Sequence, residues 1–151
     1  MHWADFAAQT LSQRGDKHII ASGITPSGEF HIGHLREILT GDMITRACKN
    51  AGLDAEFVFI VDSADPLRKV YPFLSDEYEQ YIGCALANIP APDKNGKPGN
   101  DGRTYAQHFL EPFLAALEQI DVRPRIIDNY TSYANGEFAD KYAAKALLAR
   151  V

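Results

Sequence analysis

The sequence predicts an α/β open sheet, and three observations make that prediction. A short apolar run, His18-Ile19-Ile20-Ala21-Ser22-Gly23, is followed by a turn and then by a long helical pattern. A continuous apolar stretch, Phe57-Val58-Phe59-Ile60-Val61, has the composition of a strand buried on both faces of a parallel sheet. Strands and helices then keep alternating toward the end of the 151 residues.

Taken in order, Trp3 to Arg14 has helical spacing (Trp3, Phe6, Ala7, Leu11) and stops at Gly15. The run His18 to Gly23 is the first strand. Ile24-Thr25-Pro26-Ser27-Gly28-Glu29 is a turn punctuated by Pro and Gly, with Gly28 read as permitting an unusual backbone conformation. From His31 a helix pattern (Ile32, Leu35, Ile38, Leu39, Met43, Ile44, Ala47) runs to Ala51 and ends at Gly52. The strand Phe57 to Val61 follows, closing on Asp62, and completes a right-handed β-α-β crossover. Pro90, Pro92, Pro98, Gly96, Gly99 and Gly102 mark a mobile surface loop or insertion at about 88–104. A second amphipathic helix covers Tyr105 to Ile120 with a possible kink at Pro112. Arg125-Ile126-Ile127-Asp128 is a third strand, and Gly136 to Arg150 a final helix.

Composition narrows the function classes. Apolar residues make up 46% and charged residues 23%, which suits one folded domain that buries roughly 70% of its unfolded-chain surface. No apolar run approaches the ~20 residues of a membrane span, and the opening Met1-His2-Trp3-Ala4-Asp5 lacks signal-peptide character. Cys48 and Cys84 form no CxxC or Cys/His cluster, so two reduced, buried thiols in a cytoplasmic protein are expected. With 20 Asp and Glu against 15 Lys and Arg, the net charge is −5, which argues against binding nucleic acid through a broad basic face.

The chemistry concentrates in Ser22 to His34, between the first strand and the long helix. Ligands of open α/β sheets bind at the carboxyl ends of strands, where helix N-termini present N–H groups to phosphates. His31 and His34 are three apart, so both imidazoles share one side of a first helical turn and can donate to an oxyanion. Gly33 leaves room for a flat base or ribose. A His-x-Gly-His spacing arises by chance in well under ~1% of chains this long, given glycine at about 7% usage.

His31-Ile32-Gly33-His34 resembles the signature of class I aminoacyl-tRNA synthetases and their nucleotidyltransferase relatives. Flanking segments resemble class I lysyl-tRNA synthetase specifically: His2-Trp3-Ala4-Asp5, Thr25-Pro26-Ser27-Gly28, Arg36-Glu37, Thr40-Gly41-Asp42, Asp62 to Val70, Tyr81-Ile82-Gly83 and Tyr105 to Phe109. His34 stands where many members of that family have Asn. The resemblance implies a Rossmann-like open parallel sheet with flanking helices, here the first half of a class I synthetase nucleotide fold. Residues 1–151 would form a single catalytic-domain fragment. It also implies ATP-dependent activation of lysine and transfer to tRNA. Carried over, His31 and His34 are the catalytic pair; Ser27, Gly28, His31, Gly33 and His34 bind ATP; Gly23 and Thr25 contact the amino acid. Mg²⁺ would arrive on the pyrophosphate, with no dedicated metal site and no tightly bound cofactor.

Asp62, at a strand end, suits an ammonium of the amino acid, with a turn cap as the alternative. Asp65 reads as the cap of a turn, Arg68 and Lys69 as surface charge. Phe57, Phe59, Phe109 and Phe113 read as core, and Tyr78 and Tyr81 as packing. No lysine-rich loop of the KMSKS type follows Asp62, so an isolated chain is expected to be impaired, to bind tRNA weakly or not at all, and to lack a second half. Two other readings stand beside this one: a stand-alone HxGH nucleotidyltransferase, which the missing second motif opposes, and a non-catalytic nucleotide- or partner-binding fragment.

Overall fold

Three parallel strands form the sheet in the computed structural model, which describes residues 2–136. Helix α1 (Trp3–Ser12) precedes β1 (Lys17–Ile24), α2 (Ile32–Asn50) and β2 (Asp54–Val61). After a 3₁₀ helix (Asp76–Tyr81) come α3 (Tyr105–Gln119), β3 (Arg125–Asp128) and α4 (Asn129–Ala134). The strand order is β1-β2-β3, so the expected parallel sheet with crossover helices is what forms.

The register aligns the strand ends. Ile24 lies opposite Val61, and Val61 opposite Asp128. The next residues, Thr25, Asp62 and Asn129, therefore leave the sheet in one row at its carboxyl edge.

Helices α2 and α3 cover one face through a cluster of Ile38, Phe57, Phe59, Val61, Phe113, Leu117 and Val122. Small residues let α1 sit close on α2, where Ala4, Ala8, Ala47, Cys48 and Ala55 pack together. A third cluster, built on Leu67, Tyr78, Leu86, Ile89, Tyr105 and Phe109, underlies the long segment between β2 and α3. On the opposite face of the sheet Ile19 and Ile60 are exposed among the described residues. No helix of the described residues is long and apolar enough to cross a membrane.

Helix α2 passes directly over β2 at Gly41. A Cβ there would lie 2.7 Å from Phe57 Cζ, inside a filled core. Gly41→Ala gains ~1 kcal/mol of helix propensity but overpacks at a cost of 1–3, so a net loss of about 1 kcal/mol is expected in urea unfolding.

Several sequence expectations need correction. β2 begins at Asp54, three residues before its apolar run, because Ala55 packs under the small-residue cluster. The 3₁₀ helix and α4 carry no long periodicity and were not expected. The Pro/Gly-rich segment lies at the surface as expected but is tied down: antiparallel bridges join Pro90 to Thr104 and Pro92 to Pro98, and Ala91, Pro92 and Gly96 are buried. Cys48 is buried as expected, whereas Cys84 is exposed; both are free. The helix expected over Gly136 to Arg150 lies, beyond Gly136, outside the described residues.

Candidate active site

The turn from β1 to α2 ends in an unusual cap. His31 is the N-cap residue, extended at φ −132°, and its Nδ1 accepts from the Gly33 N–H at 3.1 Å. Three residues on, His34 Nδ1 accepts from the His31 N–H, also at 3.1 Å. This is a capping box in which imidazoles replace the usual hydroxyl and carboxylate.

Two consequences follow. An Nδ1 that accepts carries no proton, so each neutral ring holds its proton on Nε2, at the edge away from the helix end. The N–H groups of His31 and Gly33 are consumed within the cap, so they do not face a ligand as the sequence reading supposed. What the helix offers is two Nε2–H donors, polarised through the capping bonds.

The rings lie 3.8 Å apart, tilted by 30°, and Phe30 meets His34 edge-on at 5.2 Å. Burial, and then the neighbouring His31, lower the His34 pKa, which favours the neutral tautomer. Gly33 is required by this arrangement: a Cβ would sit 2.9 Å from His31 Cε1 and Nδ1. Its bare backbone makes space for an imidazole, a role that residue spacing did not suggest.

His31 and His34 border a cleft of about 670 Å³ together with Thr25, Ser27, Gly28, Phe73, Lys94 and His108. One wall is therefore the β1–α2 turn, and the other comes from the segment after β2 and from α3. Tyr105, fully buried, ties the two walls together by donating to the Ser27 carbonyl at 2.7 Å. Burial pushes its phenol above the ordinary range. His108 lies on the far wall with its Nδ1 buried and unpartnered among the described residues, and burial followed by nearby Arg103 lowers its pKa. The sequence marked Tyr105 to Phe109 only as a segment resembling the family and gave neither Tyr105 nor His108 a place in the site, because only the fold brings α3 to this turn.

Gly28 does not have the unusual backbone expected of it, since it is absent from the residues with positive φ. A Cβ at this position would make ordinary contact with the Phe73 ring at 3.5 Å. Gly28→Ala is thus expected to leave the unfolding midpoint within about 0.5 kcal/mol of the parent, as for an unstrained surface change.

Not all candidate residues share the cleft. Gly33 borders a separate shallow groove along α2 with Ile32, Arg36, Leu39, Thr40 and Met43. Gly23 is in β1 opposite Ile60, where a Cβ would stand 3.0 Å from the Ile60 carbonyl oxygen. Asp62 lies in the strand-end row, its N–H bound to the Ile24 carbonyl at 2.7 Å.

Among the described residues neither Asp62 nor Asp65 serves as a turn cap. Asp62 accepts from the side-chain amide of Asn129, and half-buried as it is, it has no cationic partner among the described residues. Asp65, read from sequence as a cap, instead takes the Thr25 hydroxyl at 2.9 Å and the Arg68 guanidinium at 3.1 Å. Asp128 accepts from Ser63 at 2.6 Å and caps α4 through the Thr131 N–H. Among the described residues no group of three or more His, Cys, Asp or Glu is placed to hold a metal ion.

Along residues 1–150 the chain matches the family described as tRNA synthetases class I (K). It is similar to the lysine–tRNA ligase of Picrophilus torridus, with 47% identity over 136 residues, 90% of this chain and 25% of that protein. The lysine–tRNA ligase of Methanocaldococcus jannaschii is 45% identical over 143 residues (93% of this chain, 26% of the relative). That of Methanosarcina barkeri strain Fusaro is 41% identical over 140 residues (93% and 25%). The chain thus spans about a quarter of the length of the curated relatives it matches.

Proposed function

The chain belongs to the class I tRNA synthetase (K) family, and on that footing we propose that its strand-end site activates lysine with ATP for transfer to tRNA. The observation that carries this reading is the pair of imidazoles locked by reciprocal capping at the cleft mouth. In adenylate formation a carboxylate oxygen of lysine attacks the α-phosphate, and the bond to pyrophosphate breaks. Negative charge is redistributed over the phosphate oxygens, and fixed Nε2–H donors stabilise it without reorganising.

Ser27 and Gly28 supply the near wall for the phosphates, and the groove beside Gly33 takes the adenosine. Gly23, Thr25 and Asp62 form the amino-acid side. Asp62 suits an ammonium because, among the described residues, its carboxylate is met only by a neutral amide, which leaves its charge unmatched. Mg²⁺ enters with ATP as part of the substrate.

The net charge of −5 supports weak tRNA binding by this chain alone. The exposed Ile19 and Ile60 on the open sheet face suit contact with polypeptide of the remaining synthetase, since parallel sheets are normally covered on both faces.

Two measurements test the proposal: binding of a non-hydrolysable lysyl-adenylate analogue to this chain, and amino-acid-dependent ATP–pyrophosphate exchange. Binding of the analogue, with exchange that requires lysine, is expected. Failure to bind it, or exchange with another amino acid and not lysine, would overturn the reading.

A further inference from the structure

We infer that Asn129 is a positioning residue for the amino-acid site: it fixes the Asp62 carboxylate in the orientation that receives an ammonium. The inference rests on the reading of Asp62 given above.

Register alone brings the two residues together. Because Val61 and Asp128 are paired neighbours, Asp62 and Asn129 are the first residues past adjacent strand ends. The Asn129 amide uses both of its ends there. Its N–H donates to Asp62 Oδ1, while its carbonyl oxygen accepts the Ala64 N–H at 3.1 Å.

The second bond identifies which end is which, since a backbone N–H can only be met by the amide oxygen. It also holds the loop leaving β2, so the donor is aimed from a fixed base. One oxygen of Asp62 is thereby bound, and the carboxylate plane is set by a group just past the end of the neighbouring strand. A neutral donor orients the carboxylate without neutralising it, which a Lys or Arg here would do.

The carboxylates beside the row are already engaged. Asp65 holds Thr25 and Arg68, and Asp128 holds Ser63 and the Thr131 N–H. Arg68 neutralises Asp65 and both oxygens of Asp128 accept hydrogen bonds, whereas among the described residues Asp62 has neither a cation nor a partner for its Oδ2.

The test uses Asn129→Asp, which keeps the acceptor for the Ala64 N–H but replaces the donor with a second carboxylate. Binding of L-lysine and of ATP is measured by calorimetry at about pH 7.5 and about pH 5.5, beside Asp62→Asn and Asn129→Ala. At the higher pH, lysine binding by Asn129→Asp is expected to fall about ten- to a hundredfold, the range for losing a hydrogen bond to a charged group. At the lower pH it recovers, because two facing carboxyl groups share one proton and again present a donor and a single negative charge. Asn129→Ala loses affinity at both pH values, and ATP binding stays unchanged throughout.

In the parent protein, the Asn129 side-chain amide resonance shifts on adding lysine and not on adding ATP, a readout that needs no substitution. If Asp62→Asn abolishes lysine binding while both Asn129 variants bind normally, or if the amide resonance ignores lysine, Asn129 has no positioning role and the inference fails alone. If Asp62→Asn binds lysine like the parent, the reading of Asp62 fails first and takes the inference with it. Loss of ATP and lysine binding together in Asn129→Asp, without recovery at low pH, would assign the residue to folding and also overturn the inference.

Discussion

Replacing His31 with alanine is expected to slow lysine-dependent pyrophosphate exchange by about 10²–10³-fold, the loss typical of removing one preorganised donor from a developing oxyanion. The same change removes the cap of α2, which costs about 0.5–2 kcal/mol of stability. Because one side chain serves both purposes, alanine alone cannot separate them. Asparagine can. It caps a helix as well as any residue, so His31→Asn should keep the unfolding midpoint near that of the parent. It cannot carry an N–H to where Nε2 lies, so exchange should remain slow. An Asn variant with full exchange would show that the ring only caps the helix, and the catalytic assignment would be lost.

The cap also sets a pH dependence. The His34 ring works with Nδ1 as acceptor, and its protonation turns that acceptor into a donor facing the His31 N–H. The His34 pKa is lowered on folding, so the unfolded chain binds the extra proton more readily than the folded one. Stability from this group is therefore present above the unfolded histidine value of about 6.5 and is lost as pH falls below it. The midpoint of urea unfolding should decline on the acid side of neutrality, and less so in His34→Asn, which has no titrating ring.

How far the sequence revealed all this depends on the range of the interactions. Strands announced by apolar composition, such as Phe57 to Val61, needed only local information, and so did the helix that opens after His31. The signature could be read because its parts lie within four residues. Its internal logic could not, since periodicity says nothing of an imidazole folding back over Gly33. Contacts spanning larger separations were invisible: Thr25 meets Asp65 across 40 residues, Asp62 meets Asn129 across 67, and Tyr105 reaches Ser27 across 78. Asp65 was misread for this reason, its local turn chemistry being plausible and its distant partner decisive. Gly28 was misread in the opposite sense, because a glycine in a Pro/Gly turn suggests a special φ that this backbone does not use.

Gly96→Ala is expected to be the most damaging single change in the cleft, although position 96 carries no chemistry. Gly96 has φ +74°, a conformation that costs a non-glycine residue about 1 kcal/mol or more. A Cβ would also strike the Phe73 carbonyl oxygen and come within 3.2 Å of the Leu74 Cα, both backbone atoms with no rotamer to yield. The backbone there is pinned further, because the Ser75 N–H donates to the Gly96 carbonyl at 2.8 Å and the Gly96 N–H to the Asp93 carbonyl at 2.9 Å. Strain and overpacking together should cost about 2–4 kcal/mol in urea unfolding. Phe73, Lys94 and Gly96 all border the cleft, so the wall facing the two histidines would move with them. Gly102→Ala isolates the strain alone: its φ is +82°, yet a Cβ there meets nothing within 4 Å. That variant should lose only about 1 kcal/mol and bind a lysyl-adenylate analogue normally, whereas Gly96→Ala should lose affinity for the analogue as well as stability. Equal losses at the two positions would mean that backbone strain, and not the close approach of Gly96 to Phe73, governs this segment.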